Sequence, residues 1–327
     1  MASLLVGIYG FGSIGRLLAR EALSRGFEIV GVVDVDPALV GRSVGEVIGV
    51  EEVTVRVSRE VSALRGAEVI LHATGSYLDR VYDQIVASIK MGADVVSTCE
   101  TLSYPWLKYP VLARRLDELA VRHNVAVIGT GINPGFLLDT LAVTIAASVP
   151  GVRRVVARRS VDAASRREPF RKKIGVGLDP HEVALGLASG SLTGHVGYAE
   201  SAALIADALG IQPRRVVESQ EPVIAESPVE SRGVKVEKGR VRGIRGRGVA
   251  YGDGEVEVAR VEFEAYVGAP EYEEILVEGR DYSVTWRSSG TPGDAGTVAV
   301  VLSLAERIGS YGPGLLTMVD LIPFKPR

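Results

Sequence analysis

Leu4-Leu5-Val6-Gly7-Ile8-Tyr9-Gly10-Phe11-Gly12-Ser13-Ile14-Gly15-Arg16 is the stretch on which the fold turns. Leu4–Tyr9 is a continuous apolar run, as expected of a parallel strand covered on both faces. Gly10-Phe11-Gly12-Ser13-Ile14-Gly15 follows and matches G-x-G-x-x-G, and Ser13–Arg25 then carries apolar residues at helical spacing. Glu28–Asp34 (EIVGVVD) reads as a second strand that ends in an acid. Together these make a dinucleotide-binding βαβ unit. Gly10 permits the tight turn, Gly12 lets the backbone approach a pyrophosphate, and Gly15 lets the helix pack against the strand. Phosphates would then meet the free N–H groups of Ser13, Ile14 and their neighbours at the helix N-terminus. Asp34 lies where a carboxylate can accept hydrogen bonds from ribose hydroxyls, with Asp36 a second candidate. An acid there repels a 2′-phosphate and favours NAD over NADP, although Arg42 nearby could tolerate a phosphate. The competing reading is a glycine-rich turn in an unrelated α/β protein. The strand before the turn and the acid after it weigh against that.

Outward from this unit the alternation continues. Val53–Val57, Glu68–Ala73, Asp94–Cys99 and Val125–Gly129 read as strands, with helices near Tyr77–Met91 and Val111–His123. Repeated strand–helix–strand units give a doubly wound parallel sheet with right-handed crossovers. The rhythm changes after Asn133-Pro134-Gly135. Phe136–Ser148 reads as a long apolar helix, Val152–Asp162 as a strand, and Asp179–Ala188 and Val196–Leu209 as helices. Val216–Arg287 is mostly β-like, with a hairpin turn at Tyr251–Gly254, and Gly293–Ile308 is a final helix. The expected fold class is therefore α/β: an N-terminal Rossmann domain over residues 1–133 and an α+β substrate and dimerisation domain over 134–327. The C-terminal helix and tail, from about residue 293, are candidates to return to the first domain. An open sheet covered on one face would leave an apolar surface, which a two-fold homodimer could bury.

Bulk properties narrow the function. A net charge of −3 gives no basic field for nucleic acid or an anionic membrane surface. No run of about 18 apolar residues is present, so no membrane span is expected. The single cysteine, Cys99, cannot form an internal disulfide and has no metal-type spacing around it, which points to a reducing cytoplasm and no metal site. Asparagine occurs only at Asn124 and Asn133 and arginine far outnumbers lysine, which hints at a thermophilic source; GC-rich coding gives the same bias.

Ligands of such sheets collect at the carboxyl ends of the strands. His72-Ala73-Thr74-Gly75 and Thr98-Cys99-Glu100 lie at two such ends and should frame the nicotinamide half of the cofactor. Thr74-Gly75 is equally readable as turn chemistry, and Cys99 as an inert small residue. Asn133, at the change of rhythm, offers an amide to a polar substrate group, or simply forms a turn before Pro134. Ser165–Lys173 holds Arg166, Arg167, Arg171, Lys172 and Lys173. Such a run is commonly a solvated face, so one or two at most should meet a substrate carboxylate; Arg166 and Lys172 are the choices, with Asp162 to orient them or bind a second ammonium. His181 and His195 read as surface or packing residues, His195 being the more interesting.

The stretches STCETLSYP (Ser97–Pro105), GTGINPGFLLDTL (Gly129–Leu141), RSVDAASRREPFRKKIGVGL (Arg159–Leu178), GHVGYAESAALIADALG (Gly194–Gly210) and PGLLTMVDL (Pro313–Leu321) resemble the 2,4-diaminopentanoate dehydrogenase and native amine dehydrogenase family, nearly end to end. That group is similar in turn to dihydrodipicolinate reductase, whose substrate domain has a histidine pair and then Lys-x-Asp-Ala-Pro-Ser-Gly-Thr. Here Asp162-Ala163-Ala164-Ser165 keeps the Asp-Ala-x-Ser frame, but Ser160 stands in place of the lysine, and the histidines and the Gly-Thr pair are absent. This departure points away from dihydrodipicolinate reduction. The resemblance implies NAD- or NADP-dependent oxidative deamination of an amine or diamino acid to a ketone and ammonia. It also implies a general base just after the Ser-Thr-Cys strand, at Glu100; a turn-flanking role is the alternative for that residue. Two other functions stay in view: an imine or dihydrodipicolinate-type reductase, and a sensor that binds the dinucleotide without turnover.

Overall fold

The computed structural model describes residues 3–324 and residue 326. It falls into two compact units. The first runs up to Gly135 and takes in Asp294–Leu321; the second comprises Phe136–Gly293 and the residues after Leu321.

The first unit alternates β1 (Leu5–Tyr9), α1 (Ser13–Ser24), β2 (Glu28–Val33), α2 (Val44–Ile48), β3 (Val57–Ser58), β4 (Val69–His72), α3 (Leu78–Lys90), β5 (Asp94–Ser97), α4 (Pro110–His123) and β6 (Ala126–Gly129). The second unit contains α5 (Thr140–Ala146), β7 (Arg154–Asp162), α6 (Glu168–Lys173), α7 (Pro180–Ser189), α8 (Tyr198–Ala208), β8 (Arg215–Ile224), β9 (Val229–Ser231), β10 (Val234–Val236), β11 (Val241–Tyr251), β12 (Glu257–Tyr266), β13 (Tyr272–Glu278) and β14 (Ser283–Ser288). α9 (Gly293–Ala305) and β15 (Gly314–Leu316) then complete the first unit.

The first sheet is parallel throughout, in the order β15-β6-β5-β4-β1-β2-β3. Strand order reverses at β1, which pairs with β2 on one side and β4 on the other. This is the switch point where nucleotides bind in doubly wound sheets. Val6 and Ile8 are fully buried because helices cover both faces. α3 turns Leu78, Val81, Ile85 and Ile89 to the core, a helical stripe in which each fully buried aliphatic contributes about 1.5–3 kcal/mol. α4 starts on Pro110, which needs no N–H partner there, and ends on Asn124 in the left-handed region.

Several elements differ from the sequence reading. Val53–Val57 does not form a full strand. Val53 and Val55 offer their carbonyls to Gly45 and Val44 instead, and only Val57–Ser58 joins the sheet. The long helix expected at Phe136–Ser148 shortens to α5, because the buried Asp139 carboxylate accepts the Thr140 N–H at 2.6 Å and starts the helix there. α6 and β15 were not anticipated, the former because a basic run masked its periodicity.

The second sheet is mixed, in the order β14-β13-β7-β12-β11-β8, with β7 and β12 parallel and the other pairs antiparallel. α8 packs on β11 and β12, where Tyr198 is fully buried. The opposite face is not the apolar surface expected from the sequence. Its outward positions are cross-strand ion pairs: Arg158 with Glu262 (2.7 Å) and Glu274 (2.9 Å), Arg154 with Glu257 (2.5 Å) and Arg245 with Glu221 (2.6 Å). Alternation on these strands places Arg opposite Glu on neighbouring strands, so the open face is charged.

Candidate active site

In the first unit the candidate cofactor residues gather at the carboxyl ends of β1, β2, β4 and β5. Gly10 adopts φ +94°, and a Cβ there would lie 2.5 Å from the Ala73 carbonyl oxygen. A Cβ on Gly15 would lie 2.0 Å from the Gly10 carbonyl oxygen, so α1 can approach the turn only without a side chain at that place. Gly12 differs from both. Its φ of −69° suits any residue, and a Cβ there would meet nothing within 4 Å. No contact within the described residues requires glycine at this position, so the open space beside it is what a closely approaching pyrophosphate would occupy. Gly12 is the N-cap of α1, no side chain caps that helix, and its first turn carries no acid. Its leading N–H groups are thus presented as an anion site. Ser13 is exposed and Ile14 half-buried there, while Phe11 is fully buried beneath the turn.

Asp34 follows β2. Its carboxylate accepts the Phe11 N–H at 2.5 Å and the Asp36 N–H at 2.8 Å, so it is tied to the glycine turn. Asp36 is exposed, and its carboxylate caps a turn through the Ala38 N–H at 2.9 Å. Arg42 pairs with Glu46 at 2.7 Å in an exposed i,i+4 contact. Ala73 is half-buried, and Thr74 and Gly75 are exposed beyond the tip of β4.

Beyond β5 the chain makes a one-turn 3₁₀ helix, Glu100–Leu102, which carries Glu100 half-buried at its start. The Glu100 carbonyl accepts the Ser103 hydroxyl at 2.7 Å, and Thr101 Oγ1 accepts the Leu78 N–H at 2.8 Å, which ties this turn to the start of α3. Cys99 belongs to the apolar core cluster under the sheet, and burial, followed by the Glu100 charge, pushes its thiol up to about 12. Its side chain is inert packing, and only its backbone is left for a ligand. Asn133 is half-buried in the turn after β6, where the neighbouring Ile132 N–H donates to Thr297 on α9.

One residue at a strand end has a role that the sequence does not assign it. His72, the last residue of β4, is fully buried and hydrogen-bonded to Ser97 (2.7 Å), Gln84 (2.9 Å) and Thr74 (2.9 Å). A histidine closing an apolar strand gives no signal of its own, because its partners come from β5, α3 and the following loop.

In the second unit, Arg166 lies over the Phe170 ring (4.8 Å), and Lys173 approaches the same ring (5.3 Å). Lys172 instead points to solvent and pairs with Glu168 at 2.7 Å, one helical turn away. Asp162 spends its oxygens on the Ala164 N–H (2.9 Å), the Gly268 N–H (2.9 Å) and the Ser231 hydroxyl, which makes it the organiser of the segment leading to Arg166. His195 is buried between Tyr198 (4.8 Å) and Phe263 (4.4 Å). Burial, together with the charges of Lys173, Arg159 and Arg166, holds it well below the usual imidazole range, so it is neutral. Arg159 is fully buried against Glu273 at 3.2 Å and donates to the Thr291 carbonyl at 2.6 Å. His181 is exposed in the first turn of α7. No helix among the described residues is long and apolar enough to cross a membrane.

Comparison with known proteins identifies the family and the fold. The profile of the 2,4-diaminopentanoate dehydrogenase C-terminal domain matches residues 136–325. The 2,4-diaminopentanoate dehydrogenase of Acetoanaerobium sticklandii is 31% identical over 98% of this chain and 94% of its own. The amine dehydrogenase structure from Mycobacterium smegmatis superposes with a TM-score of 0.86 at 20% identity, covering 100% of this chain and 98% of that one. A dihydrodipicolinate reductase from Paenisporosarcina sp. TG-14 shares the fold more distantly, with a TM-score of 0.52 at 13% identity over 98% of this chain and 100% of that one. The chain belongs to the 2,4-diaminopentanoate dehydrogenase family and is an oxidoreductase.

Proposed function

We propose that this protein oxidatively deaminates an amino-bearing acid of the 2,4-diaminopentanoate type, with NAD preferred over NADP and Glu100 as general base. The observation that carries this reading is that the Gly12 opening, the Asp34 carboxylate and the Glu100 turn all lie at the carboxyl ends of strands of one sheet, β1, β2 and β5. Gly12, the first turn of α1, and Ala73-Thr74-Gly75 would hold the dinucleotide. Bound there, the cofactor supplies the hydride acceptor. The chain supplies proton handling and orientation. An ammonium has no lone pair to drive hydride departure, so Glu100 first accepts a proton from it. Once that proton has passed to solvent, Glu100 takes a proton from water as it adds to the oxidised carbon and returns it to the nitrogen, which leaves as ammonia and yields a ketone. Asp34 supports the NAD preference, because its charge repels a 2′-phosphate and Arg42 is engaged by Glu46. For a substrate carboxylate the second unit offers Arg166, held against Phe170 and supported by the Asp162-organised segment. Asn133 is the candidate partner for a polar substrate group.

The test is an absorbance assay for reduced cofactor with NAD⁺ or NADP⁺ and a panel of carboxylated and carboxylate-free amines. Turnover is expected with 2,4-diaminopentanoate and NAD⁺. In Arg166→Met the KM for carboxylated substrates should rise, with carboxylate-free amines little affected. Clear cofactor binding without turnover on any amine would favour the sensor or the reductase instead.

We also propose a two-fold homodimer through the open face of the second sheet. Light scattering at low salt should give about twice the chain mass of 34.7 kDa. A mass of one chain at every salt concentration would eliminate the dimer.

A further inference from the structure

We propose that His72 is a positioning residue, a buried hydrogen-bond relay that sets the Thr74-Gly75 segment and the Glu100 turn in one fixed geometry. The inference rests on the roles proposed above for those two segments.

The relay can be followed atom by atom. The Cys99 N–H donates to Ser97 Oγ at 3.1 Å. Ser97 Oγ lies 2.7 Å from His72 Nδ1 and has both a proton to give and a further lone pair to accept with. The tautomer is set at the other nitrogen, whose two partners accept: the ring proton sits on Nε2, and Nδ1 accepts the Ser97 hydroxyl. Nε2–H faces Gln84 Oε1 at 2.9 Å and Thr74 Oγ1 at 2.9 Å, and the Thr74 hydroxyl donates to the same Gln84 oxygen at 2.5 Å. A single side chain thus joins the loop after β4, helix α3, the end of β5, and the backbone of the residue preceding Glu100.

A space-filling role would not require this. Burying an imidazole among apolar neighbours costs free energy unless both nitrogens are satisfied, and an aliphatic side chain would fill the volume without that cost. Here both nitrogens are satisfied, and by groups that lead outward to the two strand tips. The groups facing the ring are Tyr9 from β1, edge-on at 5.6 Å, Gln84 from α3, Ser97 from β5, and Thr74. Burial lowers the imidazole pKa to about 4. Above that pH the relay has one proton order. Moving the ring proton to Nδ1 would set the Nε2 lone pair against the Gln84 oxygen.

The experiment separates the two arms in the full-length chain. His72→Asn keeps an acceptor near the Nδ1 position and loses the Gln84–Thr74 arm. Its larger effect should be on the cofactor dissociation constant, raised about tenfold. His72→Gln keeps the distal arm and loses the Ser97 arm. Its larger effect should be on kcat for the amine, lowered about tenfold. Equal losses of both parameters in both variants, tracking the fall in Tm, would reduce His72 to a packing residue. Nitrogen-15 spectra of the wild-type imidazole, assigned against His72→Asn, should show the Nε2–H tautomer unchanged from about pH 8 to about pH 5. An Nδ1–H tautomer or titration near the ordinary histidine value would overturn the relay. The spectra and the cofactor-binding measurement need no amine turnover. If the wild type oxidises no amine, the deamination reading fails while these two arms still decide the role of His72.

Discussion

Glu100→Gln lowers kcat/KM for the amine by about 10²–10⁴-fold, the usual contribution of a general base, while cofactor affinity and Tm stay near wild type. The substitution keeps the shape of the side chain and removes its ability to take a proton. Glu100 is half-buried at the start of a short turn, and its backbone holds that turn through the bond from the Ser103 hydroxyl to its carbonyl, which glutamine keeps. Loss of the carboxylate should therefore leave the fold within about 0.5 kcal/mol of wild type. The neighbouring thiol is no substitute base, because burial keeps Cys99 protonated throughout the working range. Parallel measurements of Tm and cofactor binding separate loss of the base from loss of the site. A variant within about fivefold of wild type would remove Glu100 from the proton-transfer step.

Much of the first unit could be read from local pattern, because its strands are short apolar runs and its helices carry one-sided stripes. Leu5–Tyr9 with its glycine turn and Asp34 needed no information from distant residues. Where the reading fell short, the deciding partner was remote in sequence. Val53 and Val55 are strand-like by composition, yet they bond to Val44 and Gly45 instead of extending β3. Asp139 lies inside the run Phe136–Ser148 that reads as one helix, but its burial beside Ser201, 62 residues later, makes it the cap of α5. The basic stretch shows the limit for binding residues. Lys172 and Lys173 are adjacent, and only the path of α6 sends one to Glu168 and the other to the Phe170 ring. His72 is the clearest case, since its meaning comes from Ser97 and Gln84, which no spacing rule connects to it.

Gly12→Val should weaken cofactor binding at least about 100-fold and leave the fold intact, whereas Gly15→Ala should damage the fold itself. At Gly12 the backbone sits in an ordinary region at φ −69°, and the added Cβ has no described atom within 4 Å. Substitution there should change stability by no more than about 0.5 kcal/mol. The branched side chain fills the opening over the N-terminus of α1, where the pyrophosphate would need direct access to backbone N–H groups. Displacing such a group by about 1 Å weakens its interactions by about two orders of magnitude, so a dissociation constant at least about 100-fold higher is expected. Gly15 presents the opposite case. A Cβ there would stand 2.0 Å from the Gly10 carbonyl oxygen and 3.0 Å from its carbon, so α1 must move away from the turn that Gly10 builds. Such overpacking costs about 1–3 kcal/mol and should lower Tm as well as affinity. Calorimetric titration with NAD⁺ and thermal unfolding of both variants give four numbers that separate the two roles. If Gly12→Val binds NAD⁺ like the wild type, the space beside Gly12 is not where the pyrophosphate lies, and the assignment of the glycine turn to a dinucleotide falls with it.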